Sequence, residues 1–138
     1  MIDLVYARLT GATSTFSSIE VVESIEAITK AVQSPSGTLF IAPGPETAEM
    51  SRTSGVHRQL VRVDIVTAII VRIADDVRGA ARAQRFAHYK ADLEAALAGW
   101  QPTPQSEPMN LFASDGGTLS GTVSVYLQTW RTTRYLTV

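Results

Sequence analysis

The stretch Leu60-Val61-Arg62-Val63-Asp64-Ile65-Val66-Thr67-Ala68-Ile69-Ile70-Val71-Arg72-Ile73 contains neither proline nor glycine and is dominated by β-branched residues. Its odd positions, Val61, Val63, Ile65, Thr67, Ile69, Val71 and Ile73, place one continuous apolar face on a strand, because side chains alternate across the sheet. The even positions are mixed: Arg62, Asp64 and Arg72 surround Val66, Ala68 and Ile70. The centre is therefore apolar on both faces, and the ends are polar on one. A strand this long overhangs an ordinary small sheet, and its ends are free to form an extension or to pair with another chain.

Downstream, Ala74-Asp75-Asp76-Val77 leads into an alanine-rich helix expected within Val77–Ala98. Phe86, Tyr89, Leu93 and Leu97 recur at three- and four-residue steps and form its core stripe. Asp75 or Asp76 suits the helix start, where backbone N–H groups need acceptors. Gly99 suits the position after the last turn, Trp100 is expected to fold back onto the core and be largely buried, and Pro102 and Pro104 prevent continuation. A second long strand is expected over Thr118–Tyr135, preceded by a short one at Met109–Ala113 and a hairpin turn at Asp115-Gly116-Gly117.

Towards the N-terminus, Ile2, Val5, Tyr6 and Leu9 fit a short amphipathic helix ended by Gly11. Short strands are expected at Ile19–Glu23 and Thr38–Ala42, with a helix over Ile25–Val32 between them. Pro43-Gly44-Pro45 closes the second of these strands, and residues 44–55 read as a long, flexible loop. The order helix, strand, helix, strand, strand, helix, strand, strand predicts one α/β domain of the α+β type over residues 1–138, with a central mixed, largely antiparallel sheet.

Composition narrows the function classes. Of 138 residues, 45% are apolar and only 18% charged, with a net charge of −1. So little charge points to surface covered by another subunit, and the near-neutral balance argues against tight binding of nucleic acid through phosphates. Without cysteine there is no disulfide, thiolate metal site or cysteine nucleophile. No apolar run approaches the roughly 20 residues that cross a bilayer. Met1-Ile2-Asp3-Leu4 lacks the basic region and apolar stretch of a secretory signal, which makes the cytoplasm the expected compartment.

No motif supports catalysis or a cofactor. His57 and His88 fall in different elements and outside zinc-ligand spacing; Gly-x-Ser-x-Gly and Gly-x-Gly-x-x-Gly are missing. Asp75-Asp76 would serve as a metal or acid–base pair, but a helix cap explains it. Arg78, Arg82 and Arg85 follow at steps of four and three and read either as a solvated helix face or as a charged contact. Arg131 and Arg134, beside Trp130 and Tyr135, suit an interface core equally with an edge strand guarded by charge. With Met50 and Arg52 in the loop and His57 at the strand entry, these arginines are the candidate interface residues; Gly99, Trp100 and Pro102 are the candidate structural ones.

The long strand, the Arg78–Ala81 segment opening a helix, the helix end Ala96-Leu97-Ala98-Gly99-Trp100-Gln101-Pro102, the strand around Leu111-Phe112 and the C-terminal strand together resemble the tail terminator proteins of long-tailed bacteriophages, the minor tail protein U group and its prophage relatives. The resemblance implies a non-enzymatic virion-tail protein, made in the host cytoplasm. It implies a hexameric ring of the chain on the head-proximal end of the tail tube, contacting the tube protein and a head-completion or connector protein, with DNA only passing through the lumen. The loop from Gly44 to Gly55 is the candidate tube contact, and the overhanging strand ends are the candidate subunit contacts. The alternatives are another head–tail connector or tail completion protein, or a small dimeric ligand-binding or regulatory domain.

Overall fold

A computed structural model describes residues 1–24, 26, 34–74, 76, 78–118 and 122–138. In chain order the described elements are α1 (Ile2–Ala12), β1 (Ser18–Val21), β2 (Thr38–Ala48), β3 (Arg58–Arg72), α2 (Ala80–Leu97), β4 (Asn110–Thr118) and β5 (Val123–Thr137). The strands form one sheet in the order β1-β2-β3-β5-β4. β1 is parallel to β2, and the other pairs are antiparallel. This is the expected α+β domain with a mixed sheet. The helix expected at Ile25–Val32 lies almost wholly outside the described residues.

β3 is the central strand, buried from Val63 to Val71 and paired over its whole length with β5, from Arg58↔Thr137 to Arg72↔Val123. Its odd side chains face α1 and α2. There Val5 and Leu9 of α1 and Tyr89, Leu93, Ala96 and Leu97 of α2 join Leu39, Ile41, Val63, Ile65, Ile69 and Trp130 in the main core. On the opposite face Phe40, Ala68, Ile70 and Val123 form a smaller cluster, with Val22, Val125 and Leu127 against it. Apolar centres on both faces of β3 are thus used on both faces.

Three boundaries and the burial of one tryptophan differ from the sequence reading. α1 passes through Gly11 to Ala12, a solvent-facing glycine with nothing within reach of an added Cβ. β2 does not end at Pro43-Gly44-Pro45. It shifts register between Pro43 and Glu46 and pairs on through Ala48↔Val61, so residues 44–48 of the expected loop are strand. The prolines are tolerated because β1 pairs only as far as Ile41, which leaves this part of β2 at an edge and at a bulge. Gly44 is needed there, since a Cβ would lie 2.8 Å from the Asp64 carbonyl oxygen.

β4, likewise, continues through Asp115-Gly116-Gly117 to Thr118, so the hairpin turn does not fall on those glycines. Gly116 pairs with Tyr126, whose ring atoms lie 2.7 Å from where a Cβ would stand. The bare backbone lets that ring lie flat and stack on Phe86 of α2 at 3.8 Å. Finally, Trp100 is only partly buried, packed at the core margin with Arg8 over its ring, while Trp130 is the fully enclosed tryptophan. Trp130 donates its indole N–H to Thr67 Oγ1 at 3.2 Å.

The end of α2 forms as expected: Gly99 takes φ 78° and donates to the Met109 carbonyl at 2.8 Å, and Met109 donates back to Trp100. Beyond Pro102 the chain is held by the Gln101 side chain, which donates to the carbonyls of Pro104 and Ser106. Trp130→Ala is expected to cost about 3–5 kcal/mol in denaturant titration, as for a fully buried large side chain. Trp100→Ala is expected to cost clearly less in the same measurement.

Candidate functional site

β1 ends at Val21 and β4 begins at Asn110, opposite Arg131. Below that level the sheet consists of β2, β3 and β5 alone, so Glu46–Ala48, Arg58–Val63 and Thr132–Thr137 form a three-stranded extension. This is the overhang that the length of β3 predicts. Its tip, residues 49–57, is crossed by its own hydrogen bonds: Arg58 N–H to Ser51 Oγ, Thr53 Oγ1 to the Val56 carbonyl, and Gln59 Nε2 to the Glu49 carbonyl.

The extension concentrates exposed apolar side chains. Met50 is 86% exposed and Val56 57%, and Tyr135, Leu136 and Val138 stand open at the end of β5. Arg58 lies over the Tyr135 ring at 4.0 Å. Together they form one side of an open cleft of about 800 Å³ whose other walls include Thr53, Val56, Thr103, Gln105 and Arg134. A smaller cleft on the other side of Arg58 and Tyr135 is lined by Glu49, Met50 and Arg52.

The candidate interface residues do not share one surface. Met50, Arg52 and His57 are exposed in the tip, with His57 Nε2 2.7 Å from Gln59 Oε1. Arg131 is held by Asp64 through two hydrogen bonds, at 2.8 and 3.1 Å, and its guanidinium lies 3.8 Å from the Phe112 ring centre. Arg134 reaches across β3 to Glu46, at 3.0 and 3.1 Å, and those bonds pull Glu46 below its usual carboxylate range. Both arginines are therefore already occupied within the chain.

The arginine stripe is corrected by the fold. Arg78 and Arg85 are exposed, but Arg82 is 3% exposed. It lies on the seam of α2 with Tyr89, Leu93 and Ala96, donates from Nε to Ser124 Oγ at 3.0 Å, and approaches Asp76 at 3.8 Å. Asp76 in turn accepts from the backbone N–H groups of Arg82 and Ala81, capping α2 from beyond Gly79. Those bonds, that of Arg82 first, hold Asp76 below its usual carboxylate range. Asp75, the other candidate cap, lies outside the described residues.

Sequence reading set Tyr135 beside Arg131 and Arg134 but missed Arg58, Asp64 and Glu46. Asp64 and Arg131 carried a signal, being opposite charges in the polar parts of the two longest strands, but their register was not legible. Among the described residues no group of three or more His, Asp or Glu side chains is placed to hold a metal, and no helix is long and apolar enough to cross a membrane.

The geometry is that of a small α+β protein whose most distinctive surface is an apolar, arginine-bearing strand extension. The sequence matches the phage tail terminator protein family over residues 2–137, and the chain belongs to that family. It is accordingly a phage tail structural protein. Among solved structures it is similar to a chain of the virion of a native gene transfer agent particle, with a TM-score of 0.52 at 16% identity over 94% of this chain and 90% of that one. That likeness speaks for the fold. No curated protein matches the sequence.

Two expectations follow from the ion pairs. Arg131→Ala leaves the nearly buried Asp64 carboxylate without its partner and should cost clearly more stability than Arg134→Ala, beside an exposed Glu46, by denaturant titration. Asp76 is lowered in the folded state, so its contribution is present above the unfolded pKa and is lost as pH falls through the folded one. The stability gap between the wild type and Asp76→Asn should therefore close below about pH 4, in thermal melts taken across pH.

Proposed function

We propose that this chain caps the tail tube as a ring, stops its polymerisation and provides the surface to which the head is joined. The observation that carries the reading is the family membership over residues 2–137, together with an extension whose tip presents Met50 and Val56 to solvent. Exposed apolar residues gathered at one end of a sheet are the ordinary mark of a contact surface. The apex of the tip, with Met50, Arg52 and His57, meets the tube, while neighbouring copies meet through the flank of the extension and other parts of the chain. Repeated head-to-tail contacts close into a ring when the rotation between copies divides a full turn, and six copies match the symmetry expected from the family resemblance. The low charge of the chain, −1 in all, suits a lumen through which DNA slides rather than binds.

The tip of the extension separates this reading from that of another connector or completion protein. Removing residues 50–55 and joining the ends with a short turn should leave folding intact, because the strand pairing continues without them. Tails assembled with that variant should be overlong and lack heads in electron micrographs, whereas the intact chain gives uniform tails. Uniform, head-bearing tails from the variant would exclude a tube-capping role for the tip.

A further inference from the structure

We propose that the Arg58–Tyr135 cleft of one copy receives the Glu20-Val21-Val22-Glu23 edge of the next. The proposal rests on the ring reading and names the contact that would build it.

Charge singles out the two surfaces. Among the described residues, Arg131 and Arg134 are taken by Asp64 and Glu46, and Arg82 lies against Asp76. Arg58 stays exposed and stacks on Tyr135 without an ion pair, and Arg52 is exposed close by. Glu49 is the one carboxylate lining the adjoining smaller cleft. This end of the molecule therefore carries uncompensated positive charge beside the apolar surfaces of Val56 and Tyr135.

The complementary surface lies on the opposite edge of the sheet. β1 is an outer strand, with Glu20, Val21 and, just beyond it, Glu23 all exposed, and among the described residues neither glutamate forms an ion pair. Val21 is 48% exposed, a large apolar side chain set between carboxylates. A carboxylate from this edge would meet a guanidinium that is already stacked and oriented by Tyr135, so little side-chain freedom is lost on contact. Val21 would meet Val56 and the Tyr135 ring.

The same charges decide the symmetry. A two-fold contact through the cleft would bring Arg58 towards Arg58, and one through β1 would bring glutamates together. Both are repulsive. A contact of cleft with edge is attractive and heterologous, which is the kind that propagates into a ring.

The test is charge exchange in the full chain, with association followed by native mass spectrometry and negative-stain microscopy, alone and with tail tubes. Arg58→Glu should weaken ring formation by about tenfold or more in concentration, and so should Glu20→Arg with Glu23→Arg. Mixing the two variants in equal amounts should restore rings, because every contact in an alternating ring is then attractive. Unchanged thermal midpoints would show that the surface substitutions leave the fold intact, and should Arg58→Glu unfold, Arg58→Gln replaces it. Rings that form normally with Arg58→Glu would overturn the contact and leave the ring reading standing. Loss without rescue on mixing would overturn β1 as the occupant and assign the cleft to another protein, such as the tube. A wild-type chain that never self-associates, even on tubes, would remove the ring reading and this contact with it.

Discussion

A strand of fifteen residues buried on both faces over its central half sets the terms for the rest of the molecule. Its odd side chains need a layer, which α1 and α2 supply, and its even side chains need another at Phe40, Ile70 and Val123. Its backbone donors and acceptors also need partners on both sides, because unpaired buried amides are costly. β5 meets that need along the whole of β3, and β2 along most of it. β1 and β4 are shorter and sit higher, so the three long strands run on beyond the layered part of the domain. The extension is a consequence of that mismatch in length.

What remains is to hold α2 against the sheet, and the fastenings are specific. At its start, Asp76 caps the first turn while Arg82 is anchored to Ser124 of β5. Midway, Phe86 stacks on the Tyr126 ring, which lies flat only because Gly116 beneath it has no side chain. At its end, Gly99 donates to the Met109 carbonyl and Met109 donates to that of Trp100, bonds that lead directly into β4. α1 is tied in turn by Arg8, which donates to the Ala96 carbonyl, and by Thr15, which donates to Asp92. A buried arginine is an expensive anchor unless its charge and donors are satisfied, which is why Arg82 comes with both Asp76 and Ser124.

The fold class, the order of the described elements and the two long strands were legible because each rests on periodicity, a local property of the chain. Features that depend on register were not. Pro43-Gly44-Pro45 reads as a strand terminator until it is known that β1 stops short and leaves β2 an edge there. Asp115-Gly116-Gly117 reads as a turn until Tyr126 is placed across from Gly116. Arg82 follows Arg78 at a helical step, yet it also precedes Tyr89 by seven residues and belongs to the same seam. That second spacing was the signal to weigh, and arginine's polarity concealed it. The candidate site was half visible: the overhang follows from strand length, whereas the pairing of Asp64 with Arg131 and of Glu46 with Arg134 emerges only when strands align.

Those pairings matter beyond stability, because they decide which charges are left for other molecules. An arginine engaged by two hydrogen bonds to a carboxylate of its own chain offers a partner little. A stacked arginine without a carboxylate offers an oriented donor at small entropic cost. In a ring each copy makes the same contact on two sides, and the last contact joins ends already held close, so closure gains from a high effective concentration. Individual contacts can therefore be weak and salt-sensitive while the closed ring is firm. On the proposed reading that division is physically sensible, because a contact too weak to hold two free copies together can still close a ring on a template that presents several copies at once.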